Sequence, residues 1–443
     1  MVAARPRAHR RIRGVTRLTG VRLLAAGLGV ALLLAGCTDR GGPSGPVTIV
    51  FKHAKLLGPV DPMSPLLAEF EATHPGIRVK AEALPWSSDE QRQFLVINLE
   101  GGNPGFDVMM LDCIWVPEFA RAGWILDLTD RLAPGELDSH FPAAAAAARF
   151  RGRDWALPWF MNVGLLYYRA DLLAKYGLRV PQTQAEMAAA IRRVRAAERN
   201  PRLEGYLWQG KQYEGLVVNA LEGFWAAGTD VLGDDGRAFP DPGRAAGALA
   251  FLRGLIEQGL SPRWVTAADE EITRRAFGQG EAVFLRSWPY AADLFELPDS
   301  PVRGKVGLAP LPRHDLGTPA PGSTGGSHLA VTRATRHPEA ALALVRFLTS
   351  ERAQRVMAET GAVKPSRPAL YHDPALVRAF PSLPRIHDLT LAGRPRPVTP
   401  VYVMLSTVLQ PELSAALVGV RSPERSVARA RRQLDFMLAG LEG

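Results

Sequence analysis

The stretch Leu157-Pro158-Trp159-Phe160-Met161-Asn162-Val163-Gly164-Leu165-Leu166-Tyr167-Tyr168-Arg169 decides how the rest of the chain is divided. It opens with aromatic and polar residues, Trp159 and Asn162 among them, and closes in an apolar run from Val163 to Tyr168. A run of this length and composition predicts a strand. Two readings fit: an ordinary buried strand with aromatic packing, or a strand that leaves a wet cleft and enters a core.

On its N-terminal side, apolar runs at 47–51, 77–81 and 106–111 predict strands, and helical spacing at 65–74 and 88–99 separates them. Strand and helix in alternation predict a parallel sheet covered by helices, an α/β class, with 47–51 buried on both faces. In such sheets a site lies beyond the carboxyl ends of the strands. The loops 52–55, 84–91 and 112–115 are therefore its expected walls. Residues 143–148 are all alanine and predict a short helix with little core to offer. On the C-terminal side a second set of elements follows: helices at 183–198, 214–227, 245–258 and 270–277, and strands at 205–209, 282–285 and 306–312. A glycine-rich turn at 322–328 precedes a strand at 329–331, then a helix pair at 338–360 and helices at 405–417 and 423–441. The 157–169 strand thus lies between two α/β sets, which favours a crossing from one to the other.

The first 36 residues stand apart. Seven arginines and no acid precede a short apolar run at 23–35, ending in Leu34-Ala35-Gly36-Cys37. That layout predicts an export signal, too short to persist as a membrane-spanning helix. Its ending resembles a lipobox and implies lipidation of Cys37; residues 37–46, rich in Gly, Pro and Ser, read as a flexible tether. The whole chain carries 53 Lys and Arg against 44 Asp and Glu, a net charge of +9. Without the seven signal arginines the balance falls to 46 against 44. The basic character belongs mainly to the signal and is no argument for nucleic-acid binding. The remaining 407 or so residues exceed what one core usually serves, which predicts two lobes. With Cys37 assigned to the lipid, Cys113 is unpaired and reads as a small buried hydrophobe, and no disulfide is expected.

Polar and aromatic residues recur at the predicted strand ends: Asp112 and Trp115; Trp159 and Asn162; Gln209, Lys211, Tyr213 and Glu214; Arg286, Trp288 and Tyr290; Gly325, Gly326 and Ser327. A sugar has flat C–H faces and a rim of hydroxyls that both donate and accept. Aromatic rings cover the faces, planar bidentate side chains take paired hydroxyls, and glycine turns let main-chain N–H groups approach. For any one tryptophan, core packing is the better account, and the pattern counts only because several fall at strand ends. There is no phosphate-binding glycine loop and no nucleophile elbow. The nine histidines are scattered, and His53, His140 and His328 read as surface or turn residues rather than metal ligands. A carboxylate pair such as Asp112 and Glu214 would suit a glycosidase if its separation were right.

Several segments match a family in order: Phe106-Asp-Val through Leu111-Asp112-Cys-Ile-Trp-Val-Pro-Glu-Phe-Ala-Arg-Ala-Gly-Trp124; Pro158 through Asn162-Val-Gly-Leu-Leu-Tyr-Tyr-Arg169; Trp208-Gln-Gly-Lys-Gln-Tyr-Glu-Gly215; Arg286-Ser-Trp-Pro-Tyr290; Gly325-Gly326 before Leu329-Ala-Val331; and Arg396-Pro-Val-Thr-Pro400. The chain resembles the family 1 extracellular solute-binding proteins of bacterial ABC importers, in the branch that takes trehalose, maltose and related sugars. The resemblance implies a type II periplasmic-binding-protein fold, with lobe 1 at 47–164 and 324–372 and lobe 2 at 165–323 and 373–443. It implies a sugar bound between them, delivery to the transmembrane subunits of an ABC permease, a monomer lipid-anchored on the periplasmic or cell-surface side, and no catalysis, cofactor or metal. Carried onto this chain, its ligand positions are Asp112, Asn162, Gln209, Glu214, Trp288, Gly326 and Arg396, with Trp159 and Tyr213 beside them. Two departures are notable. Asn162 stands where the family often has Asp, so the hydroxyl pattern it reads differs. The loop Lys52-His53-Ala54-Lys55 is basic where an acid or amide is usual, which keeps open a phosphorylated ligand such as a glycerophosphodiester. A surface glycoside hydrolase is the rival class.

Overall fold

The computed structural model describes residues 45–56, 60–85, 87–233, 235–361 and 363–439. The expected export signal, the lipidation residue Cys37 and all of the tether but Gly45 and Pro46 lie outside the described residues. Twelve strands can be numbered along the described chain: β1 Val47–His53, β2 Ile77–Ala83, β3 Val108–Asp112, the small ribbon β4 Arg149–Phe150 and β5 Arg153–Asp154, β6 Leu157–Val163, β7 Leu165–Arg169, β8 Glu204–Leu207, β9 Ala282–Ser287, β10 Val306–Ala309, β11 Ser323–Val331 and β12 Arg394–Pro395.

They form two principal sheets, one per lobe. The first runs β2-β1-β3-β11-β12, with β6 also pairing β11. Its β1, β2 and β3 are parallel, as the strand–helix alternation predicts. The helices Met63–Thr73 and Ser88–Glu100 supply the crossovers, burying Met63, Leu66 and Phe70 and then Gln91, Leu95 and Leu99 at helical spacing. Both faces of this sheet are covered. Ile49, Phe51, Phe70, Trp159 and Leu344 belong to the cluster on one face, and Leu95, Met109, Leu111 and Phe119 to the cluster on the other. Even so, β1 alternates: Ile49 and Phe51 are buried, and Thr48 is exposed. The second sheet has the order β10-β7-β9-β8, and its cluster gathers Tyr167, Trp208, Phe224, Phe284 and Phe295.

The quoted stretch is two strands rather than one. β6 pairs with β11 in the first sheet and β7 with β9 and β10 in the second, and Gly164 is the single residue between them. Other expectations need correcting. The glycine-rich segment 322–328 is no turn: from Ser323 it is the start of a nine-residue strand, bulged at Ser327/His328. His140 and His328 are buried, not on the surface. His140 Nδ1 lies 2.8 Å from Ser366 Oγ, and His328 Nε2 lies 2.8 Å from the Ala144 carbonyl. Burial pushes His140 down to about 3 and His328 to about 4. The alanine helix, Pro142–Ala147, does contribute to the core: Ala144, Ala145 and Ala147 are buried because bare methyl groups let the helix approach closely. Among the described residues no helix is long and apolar enough to cross a membrane.

Candidate functional site

A cleft of about 260 Å³ opens where the carboxyl end of β3 faces the N-terminus of the helix Glu214–Ala226. That is close to the lower end of the roughly 300–1,000 Å³ usual for small-molecule pockets. The first lobe lines it with Asp112, with Phe160 and Asn162 from β6, and with Gly325, Gly326 and Ser327 from β11. Ser87, Ser88 and Gln91 at the start of the helix Ser88–Glu100 complete that side. The second lobe supplies Lys211, Tyr213, Glu214, Asp269, Glu270, Trp288 and Tyr290, and Arg396 joins the two sides.

Arg396 is buried, and its guanidinium bridges the lobes. Nη2 donates to Asp112 Oδ1 at 2.7 Å and Nη1 to Glu214 Oε1 at 2.8 Å. Glu214 also accepts from the Tyr402 hydroxyl at 2.8 Å and the Ser406 hydroxyl at 2.6 Å. Burial raises the Glu214 pKa against the pull of Arg396 and Ser406. Burial also works against the charge on Arg396, but Asp112 and the other acidic neighbours hold its pKa well above the usual range. Glu214 is therefore nearly saturated and acts by positioning Arg396. Asp112 is less so. Its Oδ1 also accepts from the Ile114 N–H at 3.2 Å, whereas Oδ2 takes no hydrogen bond among the described residues and can meet a ligand.

Trp288 is held on three sides. Its Nε1 donates to Glu270 Oε1 at 3.2 Å, its carbonyl accepts from the Tyr167 hydroxyl at 2.7 Å, and the Arg286 guanidinium lies 4.0 Å from its ring centre. The second Glu270 oxygen accepts from the Tyr213 hydroxyl at 2.5 Å. A tryptophan fixed at its edge and backed by a cation is a rigid stacking surface. Opposite it, Gly325 is so placed that a Cβ would lie 3.7 Å from the ring. Gly326, at φ +127°, leaves only 2.2 Å between a would-be Cβ and the Phe160 carbonyl, so glycine alone fits both the conformation and the space.

Of the nine ligand positions expected from sequence, Asp112, Asn162, Tyr213, Glu214, Trp288, Gly326 and Arg396 line this cleft. Gln209 and Trp159 do not. Gln209 is fully buried behind Trp288, donating to Thr273 Oγ1 at 2.9 Å and to the Arg286 carbonyl at 3.0 Å. Trp159 is fully buried in the first lobe, edge-on to Phe51 at 5.9 Å between ring centres. The residue that faces the cleft from that strand beside Asn162 is Phe160. The basic segment 52–55, expected as a loop, does not line the cleft: Lys52 and His53 belong to β1, where Lys52 pairs with Glu82 and the His53 ring stacks on Phe51 at 4.8 Å. Sequence reasoning missed Asp269 and Glu270. Their only signal was the acidic run Asp269-Glu270-Glu271 at a helix start, where Asp269 accepts from the Ile272 N–H at 3.2 Å as a cap. Among the described residues no three His, Cys, Asp or Glu side chains converge as metal ligands.

A family described as bacterial extracellular solute-binding protein matches residues 58–355. A probable ABC transporter-binding protein of Deinococcus radiodurans is 32% identical over 382 residues, covering 85% of this chain and 89% of that one. The solved structure of maltose-bound T. maritima MalE3 superposes with a TM-score of 0.83 at 36% identity, covering 88% of this chain and all of that one. A mannitol-binding protein of Pseudomonas aeruginosa is 23% identical over 397 residues, covering 84% of this chain and 88% of that one. With two lobes, a cleft between them and a family match over most of its length, this chain belongs to the bacterial extracellular solute-binding proteins.

Proposed function

We propose that the protein captures a small neutral saccharide, of the size and kind of maltose or trehalose, and delivers it to the transmembrane subunits of an ABC permease. It does so as a monomer held to the membrane by a lipid on Cys37. The protein is a binding component, not an enzyme. The observation that carries the saccharide reading is the fixed Trp288 ring lining the same cleft as Asp112, Asn162 and the glycine backbone of β11. One wall offers an apolar plane; the other offers acceptors, an amide and main-chain groups for hydroxyls. The maltose carried by MalE3, at 36% identity, supports the same class.

Charge weighs against the phosphorylated alternative. The cleft is lined by four carboxylates, Asp112, Glu214, Asp269 and Glu270, and two cations, Lys211 and Arg396. Arg396 is already committed to two of those carboxylates, and the basic segment 52–55 does not line the cleft. A phosphodiester would enter a net negative site.

The test is calorimetry and thermal shift against maltose, trehalose, mannitol and glycerophosphocholine, with product analysis of the sugar incubations. A neutral sugar is expected to bind one-to-one without turnover. Asp112→Ala is expected to weaken that binding tenfold or more, from the loss of a charge-assisted bond of about 1.5–3 kcal/mol. Binding of glycerophosphocholine alone, or an unchanged affinity in Asp112→Ala, would overturn the reading.

A further inference from the structure

We propose that the buried Glu222–Arg286 ion pair is the pivot of the molecule, fastening the lobe-crossing segments to one helix and setting the position of the cleft tryptophan. The chain passes between the sheets at Gly164 and at Gly322 just before β11, and it leaves the first sheet again just after β12, which Gly393 precedes, for the helix Tyr402–Leu417 packed on the second lobe. These crossings are packed to glycine tolerance. A Cβ on Gly322 would lie 2.0 Å from the Gly164 carbonyl oxygen, and one on Gly393 would lie 2.6 Å from Thr324 Cγ2. They are also bonded to each other: the Gly164 N–H donates to the Ser323 carbonyl at 3.0 Å, and the Arg394 N–H to the Gly322 carbonyl at 2.9 Å.

Into this contact reaches Glu222, from the helix Glu214–Ala226. Its Oε1 accepts the Ser323 N–H at 2.9 Å and sits where a side chain on Gly164 would begin, 1.9 Å from an ideal Cβ. Arg286 grips the same carboxylate with both arms of its fork, Nε to Oε2 at 2.9 Å and Nη2 to Oε1 at 2.6 Å. The other side of that guanidinium is the backing of Trp288, 4.0 Å from the ring centre. Eight residues before Glu222, and so within about 80° of it around the helix axis, Glu214 holds Arg396 just beyond β12. One helix therefore reaches all three crossings through two carboxylates. A buried ion pair adds little to stability compared with well-packed apolar residues, so a positioning role accounts for this one better than a stabilising role does.

The test compares the full chain with the double variant Glu222→Gln/Arg286→Met. This variant leaves no unpaired buried charge and keeps an acceptor for the Ser323 N–H. Hydrogen exchange, read without ligand, is expected to quicken at least tenfold together in peptides containing Gly164, Ser323 and Arg394, with β8 and the middle of β9 unchanged. Maltose affinity is expected to fall at least tenfold. Arg286→Lys, which keeps the charge but not the fork, is expected to show the same pattern to a smaller degree, and it stands in if the double variant does not fold. A control, Glu412→Gln/Arg421→Met, removes the ion pair that Glu412 makes with Arg421, in the loop between the C-terminal helices, and the one that it makes with the half-exposed Arg429, and is expected to leave both the crossings and the affinity as they were. Faster exchange confined to the second-lobe sheet, or no change at the crossings, would overturn the pivot. The affinity arm rests on the saccharide reading and the exchange arm does not: a parent protein that ignores maltose would sink the former while the latter still decides the pivot.

Discussion

The two walls of the cleft are built on different principles. The first lobe presents mainly strand residues and main chain, Asp112 closing β3, Asn162 on β6 and Gly325 to Ser327 on β11, with one helix start, Ser87 to Gln91, beside them. The second presents side chains from helix starts and from the residues after β9: Tyr213, Glu214, Glu270, Trp288 and Tyr290. The glycine backbone of β11 cannot be retuned by substitution without moving a strand, whereas the side chains that line the cleft can. On the proposed saccharide reading, hydroxyls fall to the first lobe and ring burial to the second, with Arg396 as the piece they share.

The largest expected effect comes from breaking what they share. Glu214→Ala leaves Arg396 buried with only Asp112 for a carboxylate partner and should cost about 3–5 kcal/mol of stability, measured by denaturant unfolding, with loss of sugar binding. Acid should next separate the lobes, because His140 and His328 both lie in the first. Their folded pKa values are depressed, so the stability they confer is present above about 6.5 and is lost as pH falls through about 4 for His328 and about 3 for His140. The shifts correspond to at most about 3.5 kcal/mol for His328 and about 5 kcal/mol for His140, and His328→Gln should flatten the acid limb of a stability–pH curve. A first-lobe fluorescence or exchange probe should therefore respond to acid before a second-lobe one. Third, Trp288→Ala removes the stacking surface and should weaken binding by about 1.5–3 kcal/mol, roughly ten- to a hundredfold by calorimetry, with little change in the first lobe. Smallest is Asn162→Asp, which trades a donor for a second acceptor. A shift of about 0.5–1.5 kcal/mol is expected, with a changed ranking of sugars rather than a loss of binding.

The alternation of strand and helix, and the division on either side of Gly164, were legible because hydrophobic period and glycine placement are local properties. The candidate site was legible where a residue closes a strand, as Asp112 does, or opens a helix, as Glu214 does. The misplacements have physical reasons. Trp159 and Asn162 are three apart, and side chains of one strand alternate faces, so they cannot share a wall. Phe160, two residues before Asn162, can, and parity alone would have chosen it. Gln209 stands at a strand end but turns inward, because Thr273, Asn219 and the Arg286 carbonyl satisfy its amide inside the second lobe. The Lys52 charge is cancelled by Glu82 on the paired strand β2, a partner that only the register reveals. The Arg396 bridge joins residues 284 and 182 positions away, and no spacing rule reports such a pair.

Cys113 is half-buried beside Asp112 and Arg396, and burial, with Asp112 close by, pushes its thiol up to about 12. A thiol kept protonated is a poor nucleophile and a poor target for oxidants. A secreted receptor has to complete its tertiary structure in surroundings that oxidise exposed thiols. This fold makes no use of them: Cys113 forms no disulfide, and its lobes are closed by packing and ion pairs. Among the described residues, folding therefore calls on no thiol oxidation.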